Sequence, residues 1–82
     1  MYTFVIMENE ICRISIATGW LDDEYIFYEN GTIKRKYDND SQHLNLSEWL
    51  KPAQISKQNK DKLIKKCPEE LKEYIMQILD YP

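Results

Sequence analysis

The sequence predicts an α+β domain, a four-stranded antiparallel sheet followed by two or three C-terminal helices packed on one face. Three observations predict it. β-branched and aromatic runs crowd residues 1–37, an Asn30-Gly31 dipeptide sits between two of those runs, and residues 71–79 carry apolar side chains at helical spacing. With 82 residues there is room for one core, so 1–82 reads as a single domain, with β-hairpins over 1–37 and a helical part over 45–81.

Residues 2–7 (YTFVIM) and 11–17 (ICRISIA) read as the strands of a first hairpin, separated by the polar Glu8-Asn9-Glu10. Pairing Met7 with Ile11 gathers Tyr2, Phe4, Ile6, Cys12, Ile14 and Ile16 on one face and leaves Thr3, Val5, Arg13 and Ser15 on the other. A slip by one residue sets Arg13 beside Phe4 and destroys that separation. Gly19 and Asp22-Asp23 mark the next connection, with Trp20 and Leu21 tucking back towards the sheet.

Residues 25–37 (YIFYENGTIKRKY) form the second hairpin. Asn30 and Gly31 tolerate the positive φ angles of a two-residue turn, which sets Tyr28 opposite Ile33, Phe27 opposite Lys34 and Tyr25 opposite Lys36. Ile26, Tyr28 and Ile33 then meet the helices, with Arg35 and Tyr37 further along the same face. Tyr25, Phe27, Lys34 and Lys36 look the other way.

Beyond Tyr37 the character changes. Asp38-Asn39-Asp40-Ser41 is a loop, and Asn45-x-x-Glu48 can cap a short helical turn carrying Trp49 and Leu50, ended or interrupted at Pro52. Ser56 N-caps a lysine-rich helix running to about Lys66, whose apolar side is Leu63, Ile64 and Cys67 and whose outer ridge is Lys62, Lys65 and Lys66. Pro68 suits the first position of a final helix, and Glu69 and Glu70 suit its positive end. Leu71, Tyr74, Ile75, Ile78 and Leu79 supply that helix's buried stripe.

The net charge of −3 hides a division: residues 1–33 carry −5, residues 34–67 carry +5 and residues 68–82 carry −3. Such segregation permits an electrostatically chosen partner, although alternating charge is also what a solvated surface carries. The N-terminus has no basic region and its apolar run is broken by Glu8 and Glu10, so neither a signal peptide nor a membrane span is expected, and the expected location is the cytoplasm. Cys12 and Cys67 read as two reduced thiols rather than a disulfide framework.

Catalytic groups are not visible in the pattern. His43 is the only histidine, no CxxC or HxxxH pair offers zinc ligands, and both glycines serve turns rather than a phosphate loop. No cofactor is expected and the chain does not read as an enzyme. Asp22-Asp23-Glu24 lacks the alternate spacing of a calcium loop. As a solvated turn it can present a negative patch to a basic protein.

Two binding readings follow. Tyr25 and Phe27, with Lys34 and Lys36 across the ladder, have the chemistry of a single-stranded nucleic-acid platform: rings stack bases and ammonium groups hold phosphates, with help from Lys62, Lys65 and Lys66. The leading reading is a stoichiometric inhibitor that occupies a surface on a larger protein or ribonucleoprotein. In size, lone-domain architecture and charge segregation the chain resembles the small inhibitors made by phages and other mobile elements, anti-CRISPR proteins among them. That resemblance implies blocking or misdirecting a nucleic-acid-guided effector of the host. An interaction module or a toxin–antitoxin partner shares the same general features.

Overall fold

In a computed structural model that describes residues 9–39, 42 and 44–81, the chain forms the expected α+β arrangement. Four strands, β1 (Glu10–Ser15), β2 (Asp23–Tyr28), β3 (Ile33–Tyr37) and β4 (Leu46–Leu50), form an antiparallel sheet in the order β1-β2-β3-β4. Two helices follow, α1 (Lys57–Lys66) and α2 (Lys72–Ile78), each preceded by a short 3-10 turn, at Pro52–Gln54 and Glu69–Leu71. The expected strand over residues 2–7, and its pairing with 11–17, lie outside the described residues.

The core joins one sheet face to the helices. Ile14 from β1, Tyr25 and Phe27 from β2 and Ile33 from β3 cluster with Ile55, Leu63, Cys67, Ile75 and Leu79. Phe27, Ile33, Leu63, Ile75 and Leu79 are fully buried, and each such side chain contributes roughly 1.5–3 kcal/mol relative to exposure. Cys12 packs against this cluster and both thiols are free; burial pushes the Cys12 thiol up to about 11.

The helix α1 begins where its cap places it, whereas α2 has no side-chain cap and begins at Lys72, after a 3-10 turn, and not at Pro68 as expected. Ser56 Oγ accepts from the Asn59 N–H at 3.2 Å, satisfying one of the orphan donors of the first turn of α1. Pro68 precedes the second 3-10 turn, and the stripe of α2 places Ile75 and Leu79 in the core with Leu71 and Ile78 against it. Tyr74 is instead exposed, its hydroxyl donating to the Glu29 carbonyl at 3.2 Å and tying α2 to the hairpin turn.

Three further expectations are corrected. The β2–β3 connection is a three-residue loop, Glu29-Asn30-Gly31, and not a two-residue turn. Gly31 N–H donates to the Tyr28 carbonyl at 3.0 Å, and Tyr28 N–H donates to the Thr32 carbonyl at 3.1 Å. Gly31 takes φ of +85° and the Asn30 carboxamide oxygen accepts from the Thr32 N–H at 3.0 Å. That is a turn closed by a left-handed glycine, the other common use of an Asn-Gly pair. The added residue shifts the register, so Phe27 pairs with Ile33, Ile26 with Lys34 and Tyr25 with Arg35. Because side chains alternate, every β2 residue moves to the opposite face from the one expected.

The second correction is β4. Residues 46–50 form a strand where a capped helical turn was expected. Asn45 adopts a positive φ of 57° and its N–H donates to Asp38 Oδ1 at 2.9 Å, making it a turn residue and not a helix cap. Pairing of Leu46 with Tyr37 and Leu50 with Ile33 then satisfies the backbone groups on the outer side of β3, which a helical turn leaves unpaired. The third correction is Trp20, which is 72% exposed at the tip of the β1–β2 connection and does not tuck back.

Candidate functional site

All four strands place candidate side chains on the sheet face opposite the helices. One row across this face runs Arg13, Ile26, Lys34, Trp49; the next runs Ser15, Glu24, Lys36, Ser47. Tyr28 stands beside the first row, with its ring centroid 5.4 Å from that of Trp49 at an interplanar angle of 49°. Lys34 Nζ lies 5.4 Å from the Trp49 ring centroid, within cation–π range. Trp49 keeps 57% of its surface exposed, an unusual condition for so large an apolar side chain. Ile26, flanked in the ladder by Arg13 and Lys34, is fully buried and gives this face an apolar centre.

Electrostatically the face is mixed. Arg13 Nε meets Glu10 Oε2 at 2.8 Å and its Nη1 meets Glu24 Oε1 at 3.4 Å. The hydrogen bond from Arg13 holds Glu10 below the usual carboxylate range. Lys34 and Lys36 make no such ion pair among the described residues.

Both lysines expected on this face are there, because β3 has the predicted orientation. The two rings expected with them are not: Tyr25 and Phe27 are turned into the core by the register shift, at 2% and 0% exposure. The proposed Tyr25/Phe27/Lys34/Lys36 platform is therefore not assembled; Tyr28 and Trp49 occupy the aromatic positions beside Lys34. The signal that could have found them is apolar matching, since only the three-residue loop sets Phe27 against Ile33. Trp49 was hidden because its segment reads locally as helix.

Lys62, Lys65 and Lys66 are exposed on α1, across the sheet from Lys34 and Lys36, and Lys66 Nζ donates to the Ser15 carbonyl at 3.2 Å. Asp22, Asp23 and Glu24 are dispersed instead of forming one patch. Asp23 accepts a two-pronged contact from Arg35 at 2.8 and 3.2 Å on the helix side, while Glu24 reaches Arg13 on the other. Arg35 also lies 4.2 Å from the Tyr37 ring centroid, so it is held between a carboxylate and a ring at the helix-side end of the sheet.

At that end, Asp38 ties two connections together: Oδ2 accepts from the Asp22 N–H at 3.0 Å and Oδ1 from the Asn45 N–H at 2.9 Å. These backbone donors hold its carboxyl below the usual range. A shallow polar cleft of about 480 Å³ lies beside it, lined by Glu24, Lys36, Tyr37 and Ser47 among others. Among the described residues no group of three or more His, Cys, Asp and Glu side chains could hold a metal ion, and no helix is long and apolar enough to cross a membrane. His43 lies outside the described residues. Comparison with protein-family models, with curated proteins and with solved structures returns no match.

Proposed function

We propose that this chain is a non-enzymatic binding protein that acts by occupying a surface of a larger protein or ribonucleoprotein, a stoichiometric inhibitor in the manner of anti-CRISPR proteins. The observation that carries the reading is Trp49, more than half exposed, with Tyr28 and Lys34 against it on a sheet face. Trp and Tyr are the residues on which binding energy concentrates, and a ring held by its neighbours loses little conformational freedom on docking. The carboxylates of Glu10 and Glu24 among the cations, and the net charge of −3, favour a protein surface over a polyphosphate.

The test is affinity capture from the native host after nuclease treatment, with wild type and Trp49→Ala side by side. A protein partner should be retained by wild type at fixed stoichiometry, lost with Trp49→Ala, and inhibited in proportion to occupancy without turnover. Catalytic inactivation of a large excess of that partner would replace the reading with an enzyme.

The grouping of Tyr28 and Trp49 with Lys34 and Lys36 also favours a second reading, binding of single-stranded RNA. Stacking contributes about 1–3 kcal/mol per base, so Trp49→Ala should weaken an RNA complex roughly tenfold or more. Titration of fluorescent single-stranded RNA at low and moderate salt decides it: no binding at micromolar protein removes this reading.

A further inference from the structure

The backbone bonds of the sheet fix the direction of every polar group on β4. Tyr28 N–H donates to the Thr32 carbonyl and Asp38 N–H donates to the Asp22 carbonyl, at the two ends of the β2–β3 ladder. Bonded and unbonded positions alternate along an antiparallel pair. The backbones of Lys34 and Lys36 therefore bond β2, and those of Ile33, Arg35 and Tyr37 bond β4 through their partners Leu50, Glu48 and Leu46. What is left is the N–H and C=O of Ser47 and Trp49, which point off the edge of the sheet. Among the described residues neither backbone makes a turn, loop or cap hydrogen bond, and the ladder alternation directs both away from β3.

Proteins usually blunt such an edge with lysine, proline or a bulge. β4 (LSEWL) has none of these: its five residues hold a regular register with β3. Its one charge is Glu48, which lies between the two outward-pointing residues and faces the helix side. The cross-strand neighbour Arg35 is turned to Asp23 and reaches Glu48 only through its charge; among the described residues the Glu48 carboxylate accepts a hydrogen bond from the Tyr37 hydroxyl, at 3.5 Å.

We propose that the β4 edge takes an extended segment of a partner protein as an added antiparallel strand, with a lysine or arginine of that segment opposite Glu48. The inference rests on the protein-binding reading above and names the kind of partner. An incoming strand that satisfies all four outward groups bonds to Ser47 and Trp49, leaving its middle residue opposite Glu48. That is an unbonded position, where Cα atoms approach to about 4.5 Å and side chains are closest. A second copy of this chain in the same register sets Glu48 against Glu48, which charge repulsion disfavours, whereas a cation completes the site. On the other face, the incoming residue beside Trp49 extends the Tyr28–Trp49 cluster, a place for a β-branched or aromatic side chain.

The experiment is a selection of random linear dodecapeptides displayed on phage, run against wild type and Glu48→Lys. Wild type should enrich peptides with Lys or Arg between β-branched or aromatic residues, and Glu48→Lys should enrich peptides with Asp or Glu at that place. Ser47→Pro removes an outward N–H without touching the β3 ladder, so it should keep the wild-type melting curve and weaken the enriched peptide about tenfold. In the free protein the amides of Ser47 and Trp49 should exchange rapidly with solvent, and in the peptide complex they should be protected. This measurement holds even if Ser47→Pro fails to fold. Enriched peptides indifferent to the charge at position 48, or complexes that leave both amides unprotected, overturn strand addition. So does self-association of wild type that protects these amides without peptide. If capture of the native partner needs Trp49 but is unchanged in a folded Ser47→Pro, strand addition fails while the binding face stands; if Trp49→Ala changes nothing, the face fails first.

Discussion

Ile33 and Lys34 are neighbours in the chain, yet one is fully buried against Phe27 and the helices and the other lies across the ladder from a tryptophan more than half exposed. The two faces of the sheet differ in what covers their side chains. On the helix side, Tyr25, Phe27 and Ile33 are closed over by Leu63 and Ile75, and the half-buried Asp23–Arg35 pair lies at the end. On the far side the rings and cations are laid out around a buried Ile26, with no helix over them among the described residues. Aromatic content alone does not separate buried rings from exposed ones; the parity of a loop does.

The largest effect expected from that contrast is unfolding. Ile33→Asp or Ile75→Asp buries an unpaired carboxylate, a cost comparable with the whole stability of a small domain of about 5–15 kcal/mol. Lys34→Glu, one residue further on, should leave the thermal midpoint nearly unchanged. Circular dichroism melts compare them, and similar melts for Ile33→Asp and wild type break the face assignment.

A smaller loss is expected from the loop that sets the parity. Gly31→Ala places a side chain at φ of +85°, where no atom lies within 4 Å of the new Cβ, so the cost is conformational, about 1 kcal/mol. Urea midpoints should show it; a stabilised variant would mean the left-handed turn is not formed.

The Asp38 clamp gives a pH dependence. Its carboxyl is held below the ordinary value by the Asp22 and Asn45 N–H groups, so the unfolded chain binds a proton more readily than the folded one. The clamp's contribution is therefore complete above the unfolded value near pH 4 and is lost as pH falls through the lower folded value. Asp38→Asn should flatten this part of the acid limb in pH-dependent melts, and an unchanged limb would show that Asp61 and Glu10, also lowered, account for it.

The smallest effect on stability sharpens the comparison most. Trp49→Ala should shift stability by only about 0.5 kcal/mol, as surface substitutions do, while partner capture is lost. A loss of several kcal/mol would make Trp49 part of the core.

Local signals settled much of this protein. Ser56 starts α1 because its hydroxyl meets an orphan N–H within its own turn, Pro68 cannot continue that helix, and the 3.6-residue stripe of α2 selects Ile75 and Leu79 for burial. Cys12, Ile14 and Ile16 turn inwards as their alternation requires, and Lys34 and Lys36 turn outwards. Three features were decided only by the tertiary structure. Asn30-Gly31 is compatible with two loop lengths, and pairing Phe27 with Ile33 chose the longer one. Residues 46–50 satisfy a helix-capping pattern, and the unpaired outer side of β3 made them a strand. Trp20, apolar by composition, found no place in the sheet. The physical reason for the first two is that a helix makes its hydrogen bonds within its own segment, whereas a strand makes them with residues elsewhere in the chain, and a two-residue repeat inverts when the connection changes by one.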